Sequence, residues 1–133
     1  MVVDTSAIVA IARNEPDARR FAEALAITPG KRIAAPTYLE RAFVLGGLAP
    51  TKGMVFLKGL VADTLIAIEP FGPELLDAAV EARQKFGRGS GHPAKLNFGD
   101  CFSYALARTL SLPLLFKGDD FIHTDIEPAL KPA

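Results

Sequence analysis

The sequence predicts a single α/β domain over residues 1–133, with a short parallel β-sheet and helices on both faces. Its 133 residues are enough for one domain, and half of them are hydrophobic. Short apolar runs alternate with longer segments of helical periodicity, which is the pattern of βαβ units. Ligands of such sheets bind beyond the carboxyl ends of the strands, so the residues there are the first site candidates.

The composition limits the classes of function. Fifteen basic and fifteen acidic residues give a formal net charge of zero, which argues against a generally basic nucleic-acid coat. Cys101 is the single cysteine, so an internal disulfide and a cysteine-based zinc cage are excluded. The sequence shows neither a signal-peptide pattern nor an apolar run of about 18 residues, so we expect a cytoplasmic protein with no membrane contact.

The first third of the chain predicts a strand followed by two helices. Residues 1–3 are apolar and end at Asp4, and Asp4, Thr5 and Ser6 have the side chains that cap helix N-termini. A helix is expected over residues 7–12. A second begins at Pro16, because proline suits the first turn, and ends at residues 28–30.

The remainder of the chain continues the alternation of strands and helices. Proline and glycine bound most of the segments, and residues 73–86 form a long amphipathic helix. The loop over residues 87–93 is rich in glycine and basic side chains. The predicted elements are strands over 32–35, 65–68, 112–116 and 124–126, and helices over 37–45, 51–62, 73–86 and 98–110.

Acidic residues follow the strands at the edge where a ligand site is expected. Asp4 ends the first strand, and Asp119 and Asp120 follow the fourth. Asp100 lies in the first turn of a helix, and Glu40 lies in the helix after the second strand. Clustered carboxylates repel one another unless a cation offsets them, and hard oxygen ligands suit Mg²⁺ or Mn²⁺. Such a metal supports attack on a phosphodiester.

Each acid also has a structural interpretation. Asp100 and Asp119 are of the type that caps helices, and Glu40 taken alone is typical of a solvated surface. Asp4 is the acid for which a purely structural role is least favoured, because it directly ends an apolar strand.

Several segments resemble VapC-type toxins of the PIN-domain family, in the right order along the whole chain. The residues 3–10 together with Glu15, Pro16 and Asp17 look like the opening of such a toxin. Glu40, within residues 37–40, sits where the family carries its second acid. Residues 88–101 are similar to a stretch of one VapC branch, and residues 114–121 with 124–126 resemble the closing motif.

This resemblance implies a PIN-like three-layer sandwich and a Mg²⁺-dependent endoribonuclease, with Mn²⁺ able to substitute. It also implies the toxin of a type II toxin–antitoxin pair, with a VapB-type antitoxin as partner and a homodimer as the assembly. Asp4 and Asp100 match the principal metal ligands, and Glu40, the second acid in chain order, matches the third acid added to these two. The fourth acid is Asp119 or its near alternative Asp120, and we favour Asp119 because it follows the glycine that ends the strand.

Four residues are candidates for substrate binding. Thr5 or Ser6 can orient a water or a phosphate beside Asp4, with helix capping as the alternative. Arg88 and Lys95 belong to a flexible basic loop that suits phosphate contacts, with a solvated surface loop as the alternative. RNA in a single-stranded or loop form is the expected substrate, because its backbone is accessible and deformable.

Two other functions remain as alternatives. The chain can be a non-catalytic binding module of the same fold, in which the acids persist as caps and surface charges. It can also be a receiver-type phosphoryl-transfer domain, with Lys117 after the fourth strand. That function requires an aspartate at the end of the middle strand, where this chain has Glu69 and Pro70.

Overall fold

A four-stranded parallel sheet lies at the centre of the computed structural model, which describes residues 1–131. The strand order is β3-β2-β1-β4, with Val2 opposite both Arg32 and Leu114. The four strands are β1 (Val2–Val3), β2 (Arg32–Ala34), β3 (Ala67–Glu69) and β4 (Leu114–Leu115). The first strand is therefore central, and the residue that follows it emerges in the middle of the sheet edge.

Six helices connect the strands, in the places where the sequence predicts them. Proline occupies the first turn of three of these helices, where its missing N–H is not needed. The helices are α1 (Thr5–Ala12), α2 (Ala18–Ile27), α3 (Ala35–Leu48), α4 (Pro50–Asp63), α5 (Pro73–Phe86) and α6 (Phe98–Leu110). None of the helices in residues 1–131 is both long enough and apolar enough to cross a membrane.

Alternation along the short strands creates two hydrophobic cores. Val2 and Leu114 point to the face that α5 and α6 cover, whereas Val3 and Leu115 point to the face that α1, α2 and α4 cover. All four side chains are fully buried, as expected for strands of a parallel sheet with helices on both faces. The predicted three-layer α/β architecture is confirmed.

The strand predicted over residues 124–126 is wrong. A short 3₁₀ helix, Phe121–His123, ends just before this segment, residues 124–125 form a bend, and an isolated bridge between Leu114 and Pro128 follows. The Thr124 hydroxyl donates to the Phe121 carbonyl at 2.7 Å and accepts from the Ile126 N–H at 3.3 Å. This local turn uses the backbone groups that a sheet ladder would need.

Candidate active site

Asp4 follows β1 directly and caps α1. Only 3% of its surface is exposed. Its Oδ2 accepts from the Ser6 backbone N–H at 3.0 Å and from the Ser6 hydroxyl at 2.6 Å, and its Oδ1 accepts from the Ser103 hydroxyl at 2.6 Å. A carboxylate has about four acceptor positions, so Oδ1 retains one for a further partner. The side chain is held in one orientation with that position free.

Asp100 lies in the first turn of α6, where it completes a reciprocal cap. Its N–H donates to Asn97 Oδ1 at 2.9 Å, and its Oδ2 accepts from the Asn97 N–H at 2.9 Å. The capping interpretation of Asp100 therefore holds, but it uses only one carboxylate oxygen. The same cap fixes the direction of the side chain at the start of the helix.

The electrostatics of Asp100 show that other acids surround it. Burial raises its pKa to about 6, against the lowering effect of the Asn97 backbone hydrogen bond. The nearby charges of Asp4, Asp120 and Glu40 contribute to this rise. Four carboxylates from four separate segments thus share one region at the carboxyl edge of the sheet.

Glu40 reaches this region because Gly99 has no side chain. A Cβ added to Gly99 would lie 2.6 Å from Glu40 Oε2, which is closer than atoms can approach. Glycine in the first turn of α6 therefore leaves the space in which the α3 carboxylate lies. Glu40 is exposed, as the surface interpretation expects, but its exposed end lies against the helix that carries Asp100.

The two candidates for the fourth acid point to different places. Asp120 is among the charges that raise the pKa of Asp100. Asp119 instead lines a surface depression together with Pro16 and Asp17. Gly118 precedes both with φ of +105°, a left-handed conformation that glycine adopts without strain. The structure brings Asp120 together with the other three acids and turns Asp119 toward α2.

Hydrogen bonds and ion pairs hold the segment after β4 against α1. The Lys117 N–H donates to Ser6 Oγ at 3.0 Å, so one serine links this segment to Asp4. The Lys117 ammonium pairs with Asp17 at 2.9 Å and also with Glu15. Its charge is thus engaged outside the group of four acids, which does not support the receiver-type function.

The donor chemistry of the four acids fits a hard divalent ion. Within residues 1–131, no three acidic, histidine or cysteine side chains are near enough to one another to enclose a metal. Asp4 and Asp100 nevertheless each have acceptor capacity beyond their protein contacts, as ligands of Mg²⁺ or Mn²⁺ require.

The basic loop before α6 is an ordered turn at the entrance to that helix. The Arg88 N–H donates to the Leu96 carbonyl at 3.1 Å, which closes the base of the loop. Arg88 and Lys95 are exposed and line a depression of about 510 Å³.

His92 Nδ1 accepts from the Ala94 N–H at 3.1 Å, and its ring packs on Phe86, so its contacts are structural. Thr5 begins α1 beside Asp4.

Ser103 is a site residue that sequence reasoning missed. It is fully buried, and its hydroxyl orients Asp4 across 99 positions of sequence. The sequence feature that indicates Ser103 is its spacing from Asp100. Residues three apart lie on the same side of a helix, and Ser103 follows Asp100 by three. Cys101, by contrast, is a buried free thiol whose pKa is raised by burial, which is typical of a packed core residue.

Comparison with known proteins identifies relatives along nearly the full chain. The PIN domain family matches residues 1–127. VapC ribonuclease Mb2780c of Mycobacterium bovis is 45% identical over 129 residues, which cover 97% of this chain and 98% of that protein. Ribonuclease VapC28 of Mycobacterium tuberculosis is 47% identical over 130 residues, which cover 98% of each.

Solved structures show the same fold. The crystal structure of Mycobacterium tuberculosis VapC20, a toxin that cleaves the sarcin-ricin loop, superimposes with a TM-score of 0.68 at 20% identity. The matched part covers 96% of this chain and 98% of VapC20. A toxin–antitoxin complex from Klebsiella pneumoniae gives a TM-score of 0.65 at 21% identity, covering 90% and 88% of the two chains. At these identities the structural likeness concerns the fold.

Proposed function

The chain belongs to the PIN-domain family and to its VapC ribonucleases, and from that premise we propose that it is a Mg²⁺-dependent endoribonuclease. The observation that carries this proposal is that Asp4, Glu40 and Asp120 lie near enough to Asp100 for their charges to act on it. The acids come from four segments, so helix capping alone does not account for their convergence.

The proposed chemistry assigns a role to each group. Asp4 and Asp100 would hold the metal, since each is oriented by hydrogen bonds that leave acceptor capacity free. Glu40 and Asp120 complete the negative pocket, and one of the two would accept the proton of the attacking water. Bound Mg²⁺, or Mn²⁺ in its place, supplies a water of lowered pKa and offsets charge on the phosphoryl oxygens.

Substrate binding is proposed for residues on both sides of the acids. Arg88 and Lys95 contact backbone phosphates of the RNA, because their loop leads directly into the helix that carries Asp100. Ser6 and Thr5 lie beside Asp4, where a phosphate oxygen approaches. Ser6 already donates to Asp4 and accepts from Lys117, so its main role is to position the acid.

RNA cleavage by the purified full chain tests the proposal. We expect Asp4→Asn, Asp100→Asn and Asp120→Asn each to reduce cleavage of single-stranded RNA by at least about a hundredfold, because each removes charge from the metal pocket. Asp119→Asn is the matched control, because it makes the same chemical change at the neighbouring residue. Asp119 lies on the side of α2. This variant should retain nearly full activity.

The contrary results are defined in the same assay. Undiminished cleavage in EDTA rules out the metal mechanism, and full activity of Asp4→Asn rules out the assigned pocket. Loss of activity in Asp119→Asn with retention in Asp120→Asn would instead assign the fourth acid to Asp119. A wild-type protein that binds neither Mg²⁺ nor Mn²⁺ at millimolar concentration would favour the non-catalytic binding module.

We further propose that the chain is the toxin of a type II pair and that a VapB-type antitoxin covers the α3–α4 hairpin. This hairpin exposes Phe43 by 71%, Leu48 by 77% and Val55 by 67%. Contiguous apolar surface of this kind is typical of a protein interface. The RNA substrate places the pair in the cytoplasm.

We propose a homodimer through a separate apolar face on α5 and α6. Leu76, Val80 and Phe98 are each more than half exposed there, and together they line a depression of about 600 Å³. Phe43→Asp should weaken antitoxin binding and preserve the dimer, whereas Val80→Asp should do the reverse. Light scattering of the free chain, together with titration of the antitoxin, measures both effects.

A further inference from the structure

The inner side of α3 carries a cation beside the acids. Arg41 follows Glu40, and its Nε is buried without a hydrogen-bond partner. Within residues 1–131 its guanidinium takes part in no ion pair or side-chain hydrogen bond. A buried charged donor without an acceptor is costly, so such an arrangement needs a reason in function or structure.

The neighbours of Arg41 are of both signs. Burial lowers its pKa, while the carboxylates of Glu40 and Asp4 raise it and the guanidinium of Arg13 lowers it again. Arg41 therefore lies within reach of the charges of Glu40, Asp4 and Arg13, the last of which is the exposed C-cap residue of α1. In the described part of the chain, Arg13 also has no acidic partner. Two like charges next to each other favour an anion shared between them.

Asp4 does not act as that anion. Its Oδ2 accepts two hydrogen bonds from Ser6, and its Oδ1 accepts one from Ser103. The carboxylate is thus held by hydroxyl groups, and Arg41 remains available to a ligand. An arginine guanidinium matches a phosphate in geometry, because its planar donors can bind two oxygens at once.

We propose that Arg41, with Arg13 beyond it, binds the RNA backbone phosphate next to the one that is cleaved. This inference rests on the proposed ribonuclease function and adds a second binding region to it. The basic loop with Arg88 and Lys95 packs with the core of the α5–α6 face, whereas α1 belongs to the core of the opposite face. The RNA strand then crosses the acids with cations on both sides.

Binding of RNA in the absence of cleavage tests the inference. The full chain is titrated into a fluorescently labelled single-stranded RNA in EDTA, at several NaCl concentrations. Arg41→Met should weaken binding about tenfold and reduce the slope of log Kd against log[NaCl] by about 0.7, the value for one phosphate contact on a single strand. Arg41→Lys should preserve the slope, with an affinity between the two.

A charge-matched control separates a local contact from bulk charge. Arg19→Met removes one positive charge from an exposed i,i+4 pair with Glu23 on α2. It should leave affinity and slope as in the wild type. If Arg41→Met loses its fold by circular dichroism, Arg13→Met carries the test, because Arg13 is exposed. We expect Arg13→Met to lower the RNA affinity about threefold and also to reduce the slope of log Kd against log[NaCl].

Other outcomes would refute the inference. They also distinguish failure of the inference from failure of the proposed function. Wild-type affinity and slope in Arg41→Met, with normal Mg²⁺-dependent cleavage by the wild type, refute the phosphate contact alone. Absence of cleavage by the wild type refutes the proposed function itself. Unchanged RNA binding with weakened antitoxin binding in Arg41→Met would assign this cation to the protein partner instead.

Discussion

At the scale of single residues, the acids of the site depend on neutral neighbours for their orientation. Asp4 is buried, and its position relies on the hydroxyl groups of Ser6 and Ser103. Hydroxyl donors stabilise the ionised carboxylate without adding a positive charge that would compete with a metal. Ser103 is thus a positioning residue whose contribution is separate from that of the four acids.

Ser103→Ala tests this positioning role. Removal of the donor leaves Asp4 Oδ1 without its buried partner, so we expect kcat to fall about tenfold and the free energy of unfolding to fall by about 1–2 kcal/mol. Thr64→Ala is the control, because it removes a hydroxyl that donates to Leu60 O at 2.6 Å on α4. It should lower stability without changing kcat. Equal kcat values for both variants would contradict the role of Ser103.

At the scale of elements, the approach of α3 to α6 sets the place of Glu40. The start of α6 has glycine at position 99, where any side chain would meet the Glu40 carboxylate. The clash involves the end of a flexible side chain and not the backbone, so the helices can remain packed while the acid moves. A substitution at Gly99 should therefore change RNA cleavage while the protein keeps its fold.

Gly99→Ala should therefore retain the fold and lose most of the RNA cleavage, with a decrease in kcat of about tenfold or more. Gly59→Ala is the matched control, because nothing lies within 4 Å of a Cβ added to this glycine inside α4. Alanine there should raise stability by about 0.5–1 kcal/mol and leave cleavage unchanged. Thermal unfolding and a cleavage assay measure both properties. Full cleavage by Gly99→Ala would show that Glu40 does not require this space.

The sequence predicted most elements because their signals are local. Apolar runs, prolines in first turns and glycine breaks identify five of the six helices and three of the four strands to within about two residues. The observed α3 extends three residues beyond its predicted end, and the observed β4 is three residues shorter than its predicted run. Local signals do not distinguish Asp119 from Asp120. Their different positions follow the left-handed turn at Gly118 and the contact of Lys117 with Ser6, which is 111 positions distant.

The same limit explains the missed residues. Ser103 and Arg41 look like ordinary helix residues in the sequence, and their importance comes from which element they face in the fold. The strand expected over residues 124–126 fails for a related reason, because the Thr124 side chain forms a local turn. Periodicity locates elements, whereas the tertiary arrangement selects which polar side chains meet.

At the scale of the whole molecule, four converging acids make stability depend on pH. The pKa of Asp100 is raised from 3.8 to about 6, mainly by burial, so between these values the folded state binds more protons than the unfolded state. Stability of the metal-free protein must then fall as pH rises from about 4 to about 6, and this contribution levels off above that window. We expect a loss of about 1–2 kcal/mol, measured by urea unfolding in EDTA.

Asp100→Asn is the control for this dependence. The variant has no carboxyl group at position 100 to ionise, while its amide oxygen can still accept from Asn97. Its stability should vary less across the same pH window and exceed that of the wild type at pH 7. If wild type and variant show the same pH dependence, the ionisation of Asp100 is not its source.

Binding of a divalent ion should reverse this loss, because an ion that binds only the folded state stabilises it by mass action. Mg²⁺ or Mn²⁺ at about a hundred times its Kd should add about 2.7 kcal/mol of stability at pH 8, seen as a rise in Tm. The rise should shrink below pH 6, where protonation of Asp100 competes with the metal. Asp4→Asn should remove it at every pH, whereas Asp119→Asn should retain it. A rise of equal size in Asp4→Asn would place the ion elsewhere on the molecule and separate metal binding from the acids at the sheet edge.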